Sequence, residues 1–153
     1  MIHLTAQAEA YAAVLPEMRA HYPAHWRELA LDQESIALDM DYARYAQLDA
    51  AGALSVVTLR CKGALVGYCI MLVMPGLHYR STPEARMDIY YVAPDYRGRM
   101  GGVRLFRAVE KELKRRGIKR IYVGSKLHRD SSRLFVALGY RPIETWFSKL
   151  VEG

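Results

Sequence analysis

Cysteine is scarce in this chain. Only Cys61 and Cys69 occur among 153 residues, which excludes a disulfide-dense scaffold. A chain of this length needs no staples, because it can bury about 68–70% of its unfolded surface. No apolar run approaches the roughly 18 residues of a membrane-spanning helix. The first residues lack a basic stretch followed by an apolar one, so no secretory signal is expected. Repeats and low-complexity tracts are absent. No Lys-Ser or Lys-Thr follows the glycines near residue 100, which excludes a P-loop. No G-x-G-x-x-G follows the first strand with an acid about 20 residues on, which excludes a dinucleotide fingerprint. No metal site is expected. What remains is an ordinary globular composition, 52% hydrophobic and 25% charged, expected to form one domain over residues 1–153.

The net charge of +6 is unevenly placed. Residues 1–92 sum to −3 and residues 93–153 to +9. The second half therefore attracts anions. The basic run Lys111-Glu112-Leu113-Lys114-Arg115-Arg116 interleaves acids with bases, the pattern of a solvated helix face rather than of a nucleic-acid interface.

The chemistry-bearing stretch follows an apolar strand, Met87–Val92. After Ala93-Pro94-Asp95-Tyr96 comes the turn Arg97-Gly98-Arg99-Met100-Gly101-Gly102, and then an amphipathic helix from about Val103 to Arg116 with Val103, Phe106, Val109 and Leu113 as its apolar stripe. The first N–H groups of such a helix have no intrahelical partner, and the macrodipole favours negative charge there. Glycine lets the backbone approach a phosphate, and arginine adds charge and a donor fork. The expected guest is a phosphorylated small molecule.

Around this stretch the periodicities predict a helix over 6–21, a loop at Tyr22-Pro23-Ala24-His25-Trp26, and a second helix from an Asp32 cap to about Leu48. Strands Leu54–Cys61 and Ala64–Met74 form a hairpin through Lys62-Gly63. In that register Cys61 faces Ala64 and Cys69 lies near Val56, so the thiols are roughly 17 Å apart. They stay reduced, as in a cytoplasmic protein. Residues 75–83 read as a polar loop. Lys119–Gly124 is a strand, a short helix holds Leu134, Phe135 and Leu138, and Glu144–Val151 is a final strand.

This order of elements, with the Arg/Gly turn after the third strand, resembles the GNAT N-acetyltransferase superfamily. Two motifs carry the resemblance, which covers nearly the whole chain. Val92-Ala93-Pro94-Asp95-Tyr96-Arg97-Gly98-Arg99-Met100-Gly101-Gly102 matches the family's [Q/R]-x-x-G-x-[G/A] phosphate motif, with Met100 in place of its first glycine. Leu134-Phe135-Val136-Ala137-Leu138-Gly139-Tyr140 matches Leu-Tyr-x-x-x-Gly-[Phe/Tyr]. The resemblance implies an α/β (α+β) fold: a mixed, mostly antiparallel sheet with a splayed parallel strand pair, flanked by helices on both faces.

It also implies acetyl-CoA as co-substrate and a primary amine, on a small molecule or a protein, as acceptor. Backbone N–H groups of Gly98, Arg99, Met100, Gly101, Gly102 and Val103 would hold the diphosphate, with Arg97 and Arg99 adding charge. The edge of Tyr90-Tyr91-Val92 would pair with the pantetheine arm, and the Val92 N–H would polarise the thioester carbonyl. His128, Ser131 and Phe135 would line the far side. Attack needs a deprotonated amine held close to the thioester. Asp88, on the same face as Tyr90 and Val92 by period-two alternation, is the first candidate base. A surface carboxylate, or one paired with Arg86, is its plainer reading, and His78 and Tyr79 are further candidates.

Two departures bear on mechanism. The family often places a tyrosine where Phe135 stands, to protonate the departing thiolate; phenylalanine has no such proton, which leaves Tyr90, Tyr91 or a water. His128 stands where the family often has asparagine. Acceptor-side groups are Glu28, Asp32, Glu34, Trp26 and Tyr22. Two alternatives stand beside the enzyme: a non-catalytic CoA-binding or regulatory protein of the same fold, and a basic nucleic-acid-binding module. The strand holding Trp146 and Phe147 either completes a core or meets a partner chain, which leaves a homodimer open.

Overall fold

In the computed structural model, which describes residues 2–151, the chain runs β1 (Leu4–Ala8), α1 (Tyr11–Leu29), α2 (Tyr42–Ala50), β2 (Leu54–Cys61), β3 (Ala64–Gly76), β4 (Tyr79–Val92), a 3-10 turn (Pro94–Tyr96), α3 (Gly101–Arg115), β5 (Arg120–Tyr122) and α4 (Ser132–Ala137). The strands form one sheet in the order β1-β2-β3-β4-β5. All neighbours are antiparallel except β4 and β5, which run parallel. Among the described residues no helix is long and apolar enough to cross a membrane.

The β2–β3 hairpin forms as expected. Lys62 and Gly63 both take positive φ, 48° and 87°, which lets the turn follow the twist of its strands. Cys61 pairs with Ala64 and Cys69 with Val57, and both thiols are free. The middle strands are buried on both sides. Val57, Leu59, Val66 and Met71 pack against Leu105, Phe106, Val109 and Leu113 of α3. Leu54, Val56, Leu65, Tyr68 and Ile70 pack against Tyr11, Val14, Met18 and Tyr22 of α1. Helices therefore cover both faces, and the strands read as continuous apolar runs.

The N-terminal third departs from expectation. Residues 4–8 form an edge strand on β2, not the start of a helix. The helix begins at Tyr11 and continues through Pro16 and Pro23 to Leu29, so the expected loop at Tyr22–Trp26 is helical. Each proline forfeits a backbone bond, but Tyr11, Val14, Met18, Tyr22 and His25 form one buried stripe, and burial overrides propensity. Asp32 sits in a turn at φ 53° instead of capping a helix. The second helix starts ten residues later, where Asp41 Oδ1 accepts the Arg44 N–H at 2.8 Å. Residues 75–83 are the ends of two long paired strands rather than a loop.

The second half follows the expected pattern more closely. Helix α3 buries Leu105, Phe106, Val109 and Leu113, while Val103 is only half-buried. It ends at Gly117 (φ 78°), with Gly117 N–H bonded to Lys114 O and Ile118 N–H to Leu113 O, both at 3.0 Å. This is the Schellman arrangement glycine permits. The expected final strand over Glu144–Val151 does not form among the described residues; 141–150 are exposed and without regular structure. β-propensity expresses itself only against a neighbouring strand, and in this structure that segment has none.

Candidate active site

The parallel pairing of β4 with β5 is short: Glu84 with Arg120, Ala85 with Ile121 and Arg86 with Tyr122. Beyond Arg86, β4 continues to Val92 on its other neighbour, β3, with no strand beside it on the β5 side. A seam therefore opens along Met87–Val92, and at its end lies the Arg/Gly turn. Gly98 takes φ 67° and Met100 φ 61°, so the motif's missing glycine is a residue forced into a left-handed conformation. A Cβ on Gly101 would meet the Tyr96 carbonyl oxygen at 3.1 Å and Leu59 Cδ2 at 3.2 Å, tighter than an ordinary contact, so a side chain there would press on the turn. The first helical bond of α3 is Arg104 N–H to Met100 O at 2.9 Å. The N–H groups of Gly101, Gly102 and Val103 thus have no acceptor within the helix and face its open end. Arg99 is exposed beside them.

Tyr90 points from the seam toward the α3–α4 face. Its ring packs edge-on against Phe106 and Phe135, at centroid distances of 5.0 and 6.1 Å, and its hydroxyl is hydrogen-bonded to Ser131 Oγ. Burial raises its pKa, against a smaller opposing effect of that hydrogen bond, so the phenol holds its proton at neutral pH. Phe135 is buried at the base of this cluster. His128 is exposed in the turn between Lys126 and Arg129, which pair as a single bridge.

Asp88 does not share the face of Tyr90 and Val92. The β3–β4 register passes from Ile70–Ile89 to Met71–Met87 and skips Asp88, which is a β-bulge. The extra residue turns the carboxylate toward the α1–α2 side, where it accepts the Tyr45 hydroxyl of α2. Desolvation raises the Asp88 carboxyl, with the Tyr45 hydrogen bond working the other way. Asp88 and Tyr90 thus emerge on opposite sides of one strand, two residues apart. His78 and Tyr79 lie at the far tip of the β3–β4 hairpin. Tyr79 is nine residues from Asp88 on the same strand, about 30 Å at the strand rise, so the structure does not bring them to this site.

Glu28, at the last turn of α1, spans the turn and the segment after β5. Its Oε2 lies 2.7 Å from an Arg97 guanidinium nitrogen and its Oε1 2.8 Å from Arg129 Nε. Burial raises its carboxyl, but the two guanidiniums outweigh this and hold it below the usual carboxylate range. Arg97 also donates Nε–H to the Val92 carbonyl at 2.8 Å and lies over the Tyr91 ring. Glu28 is therefore committed to two arginines and is not a free acceptor-side acid. Tyr22 is buried in the α1 packing, whereas Asp32 and Glu34 sit exposed in the loop after α1.

Sequence reasoning missed three of these partners. Tyr45, Arg129 and the buried His25, whose Nδ1 is 2.8 Å from the Tyr68 hydroxyl while its ring stacks on Tyr91, carry no local signal. Each is defined by contacts across at least 40 residues. Two cavities, of about 280 and 270 Å³, lie away from the seam, one beside Glu9, Asp49 and Arg116 and one beside Ile121 and Tyr140.

The model of the acetyltransferase (GNAT) family matches residues 13–140. The chain belongs to this family. It is an acyltransferase by that membership, and the open strand pair and glycine turn are the GNAT frame in this chain. No curated protein matches it in sequence. Among solved structures, an aminoglycoside acetyltransferase from an uncultured soil metagenomic sample superposes with a TM-score of 0.75 at 16% identity, over 98% of this chain and 99% of that one. The aminoglycoside N-acetyltransferase AAC(6')-Iy in complex with CoA gives 0.73 at 16% identity, over 100% and 97%. The ribosomal-protein-alanine N-acetyltransferase of Brucella melitensis biovar Abortus 2308 gives 0.72 at 16%, over 98% and 99%. At such identities the GNAT likeness is one of fold.

Proposed function

We propose that this chain is a single-domain N-acetyltransferase that moves the acetyl group of acetyl-CoA to a primary amine by direct attack in a ternary complex. The observation that carries the reading is the unpaired edge of β4 ending at an αL–glycine turn on a helix N-terminus. The diphosphate lies on the N–H groups from Gly98 to Val103, with Arg97 and Arg99 beside it. The pantetheine arm follows the edge of Tyr90-Tyr91-Val92 like an added strand, flanked by His128, Ser131 and Phe135. The Val92 N–H polarises the thioester carbonyl.

The bulge gives the two proton carriers separate sides. Asp88, facing the α1–α2 side, takes the proton of the incoming amine, directly or through one water. Tyr90, facing the α3–α4 side, gives its proton to the departing thiolate, the role for which Phe135 has no group. Thiolates leave with modest help near neutral pH, so Tyr90 matters less than Asp88. A base must be ionised, and Asp88 is shifted upward. Turnover therefore rises as pH passes through its raised pKa, and Asp88→Asn loses that limb.

Calorimetry with CoA and a thiol-release assay over an amine panel test the reading. Binding of CoA, and release of thiol with at least one amine, are expected; Asp88→Asn retains the first and loses about a hundredfold of the second. Absence of CoA binding overturns the cofactor assignment. A wild-type activity left intact in Asp88→Asn overturns the assignment of the base.

A further inference from the structure

The sheet face that holds Asp88 carries a second group of polar side chains. In the β3–β4 register Arg86 pairs with Leu72 and Ile89 with Ile70, and Leu72, Ile89 and Ile70 all belong to the α1–α2 core. Met87 and its partner Met71 belong instead to the core under α3. Arg86 therefore faces the α1–α2 side, as Asp88 does. On the neighbouring strand Ile121 pairs with Ala85 and packs under α3. Arg120 and Tyr122, before and after it, take the same side as Arg86.

These side chains form a ladder. The Arg86 guanidinium lies 4.1 Å from the Tyr122 ring centroid, and the Arg120 guanidinium 5.6 Å from that of Tyr79. Arg120 Nη1 donates to the Tyr122 hydroxyl at 3.3 Å. Stacking on a ring holds a guanidinium in place without neutralising it. The one carboxylate at ion-pair distance from Arg86 among the described residues is the buried Glu84, and only at 3.5 Å. Arg86 stays exposed, as does Asp88. The two do not pair with each other: Asp88 accepts the Tyr45 hydroxyl, and Arg86 turns to Glu84 and Tyr122.

We propose that the acceptor amine also carries an anionic group, a carboxylate or a phosphate, and that Arg86 binds this group while Asp88 receives the amine. The inference rests on the reading of Asp88 as the base on the acceptor side. Arg86 and Asp88 are two residues apart, about 7 Å at the strand rise, which a short alkyl chain spans. A guanidinium offers either anion a two-pronged hydrogen bond. Arg120, through Tyr122, keeps the Arg86 plane in position and adds positive charge behind it. Asp41, exposed at the start of the helix that supplies Tyr45, adds negative charge toward the amine's end. The face is split in sign, so an acceptor with further positive charges in place of the anion meets repulsion at Arg86.

Thiol release with four amines of similar length tests it: ε-aminohexanoate, δ-aminobutyl phosphate, hexylamine and diaminohexane. Wild type should favour at least one anionic amine over hexylamine by about tenfold or more in kcat/KM, and diaminohexane should be the poorest. The better of the two anionic amines identifies the group as carboxylate or phosphate. In Arg86→Gln, with its fold checked by circular dichroism, that preference should fall toward one through a raised KM, and Arg86→Lys should restore part of it. A wild type that favours neither anionic amine, or a preference unchanged in Arg86→Gln, overturns the proposal. Calorimetry with CoA present answers without turnover. Wild type should bind at least one anionic amine, and Arg86→Gln should bind it about tenfold more weakly or worse; binding of neither, or equal binding by both proteins, overturns the proposal. Such binding without thiol release from any amine overturns the transfer reading and leaves the anion site standing.

Discussion

Gly67 decides how closely β3 approaches the end of β4. It pairs with Val92, and a Cβ built on it would lie 2.8 Å from the Tyr91 carbonyl oxygen and 3.3 Å from Leu59 Cβ. Neither neighbour can swing aside, since one is backbone and the other belongs to a fully buried residue. Gly67→Ala must therefore push the strands apart beside the seam. Forced overpacking of this kind costs about 1–3 kcal/mol. Alanine recovers about 0.4–1 kcal/mol by restricting the unfolded chain. The net loss is on the order of 1–2 kcal/mol, or about 2–8 °C in Tm for a chain of this size. Gly124→Ala is the control, because nothing lies within 4 Å of a Cβ there and the change should stay within about 0.5 kcal/mol. Urea titration and thermal melts followed by circular dichroism measure both. CoA affinity should fall in the first variant and hold in the second, since Tyr91 borders the seam. Identical stabilities for the two alanine variants would refute the claim that bare backbone at Gly67 sets the strand spacing.

Three further outcomes are expected. Met100→Gly should exceed Met100→Ala in stability by about 0.5–1 kcal/mol, because a Cβ in the left-handed region costs about 1–2 kcal/mol and glycine gives back part of that through the unfolded state; equal urea midpoints would mean the turn holds no strain. Burial holds His25 at about 4 against 6.5, so its neutral form stabilises the fold above pH 6.5 and that stability drains away as pH falls toward 4. Wild type should lose about 2 kcal/mol between pH 7 and 5 and His25→Gln much less, with parallel pH profiles counting against the assignment. Glu28→Gln should free Arg97 and Arg129 and tighten CoA binding about fivefold at low salt, an advantage that shrinks as salt rises. Weaker binding in calorimetry would show instead that the carboxylate positions the arginines.

The stretches that were legible in the sequence are those whose partners are close along the chain. The Lys62-Gly63 hairpin needs only a two-residue turn between apolar runs. Helix α3 announces itself by its stripe, its glycine stop and the turn before it. The misread stretches depend on distant contacts. Residues 4–8 are a strand only because β2 lies beside them, 50 residues on. Pro16 and Pro23 stay inside a helix only because the tyrosines and methionine on its other side are buried under the sheet. Asp88 illustrates the point within one strand. Simple alternation puts it beside Tyr90, and a single extra residue, visible only in the pairing with β3, turns it to the opposite face.

The sequence by itself therefore determined the family, the Arg/Gly turn at the start of α3 and the identities of the residues around the seam, because motif spacing and local periodicity are properties of short segments. Only the tertiary structure decided which way Asp88 faces, that Glu28 is held by two arginines, that Tyr90 meets Ser131, and that residues 141–150 lie uncovered. Each of these is a contact or a missing contact between segments far apart in the chain, and chain connectivity alone does not encode which distant groups a fold will bring within hydrogen-bonding distance.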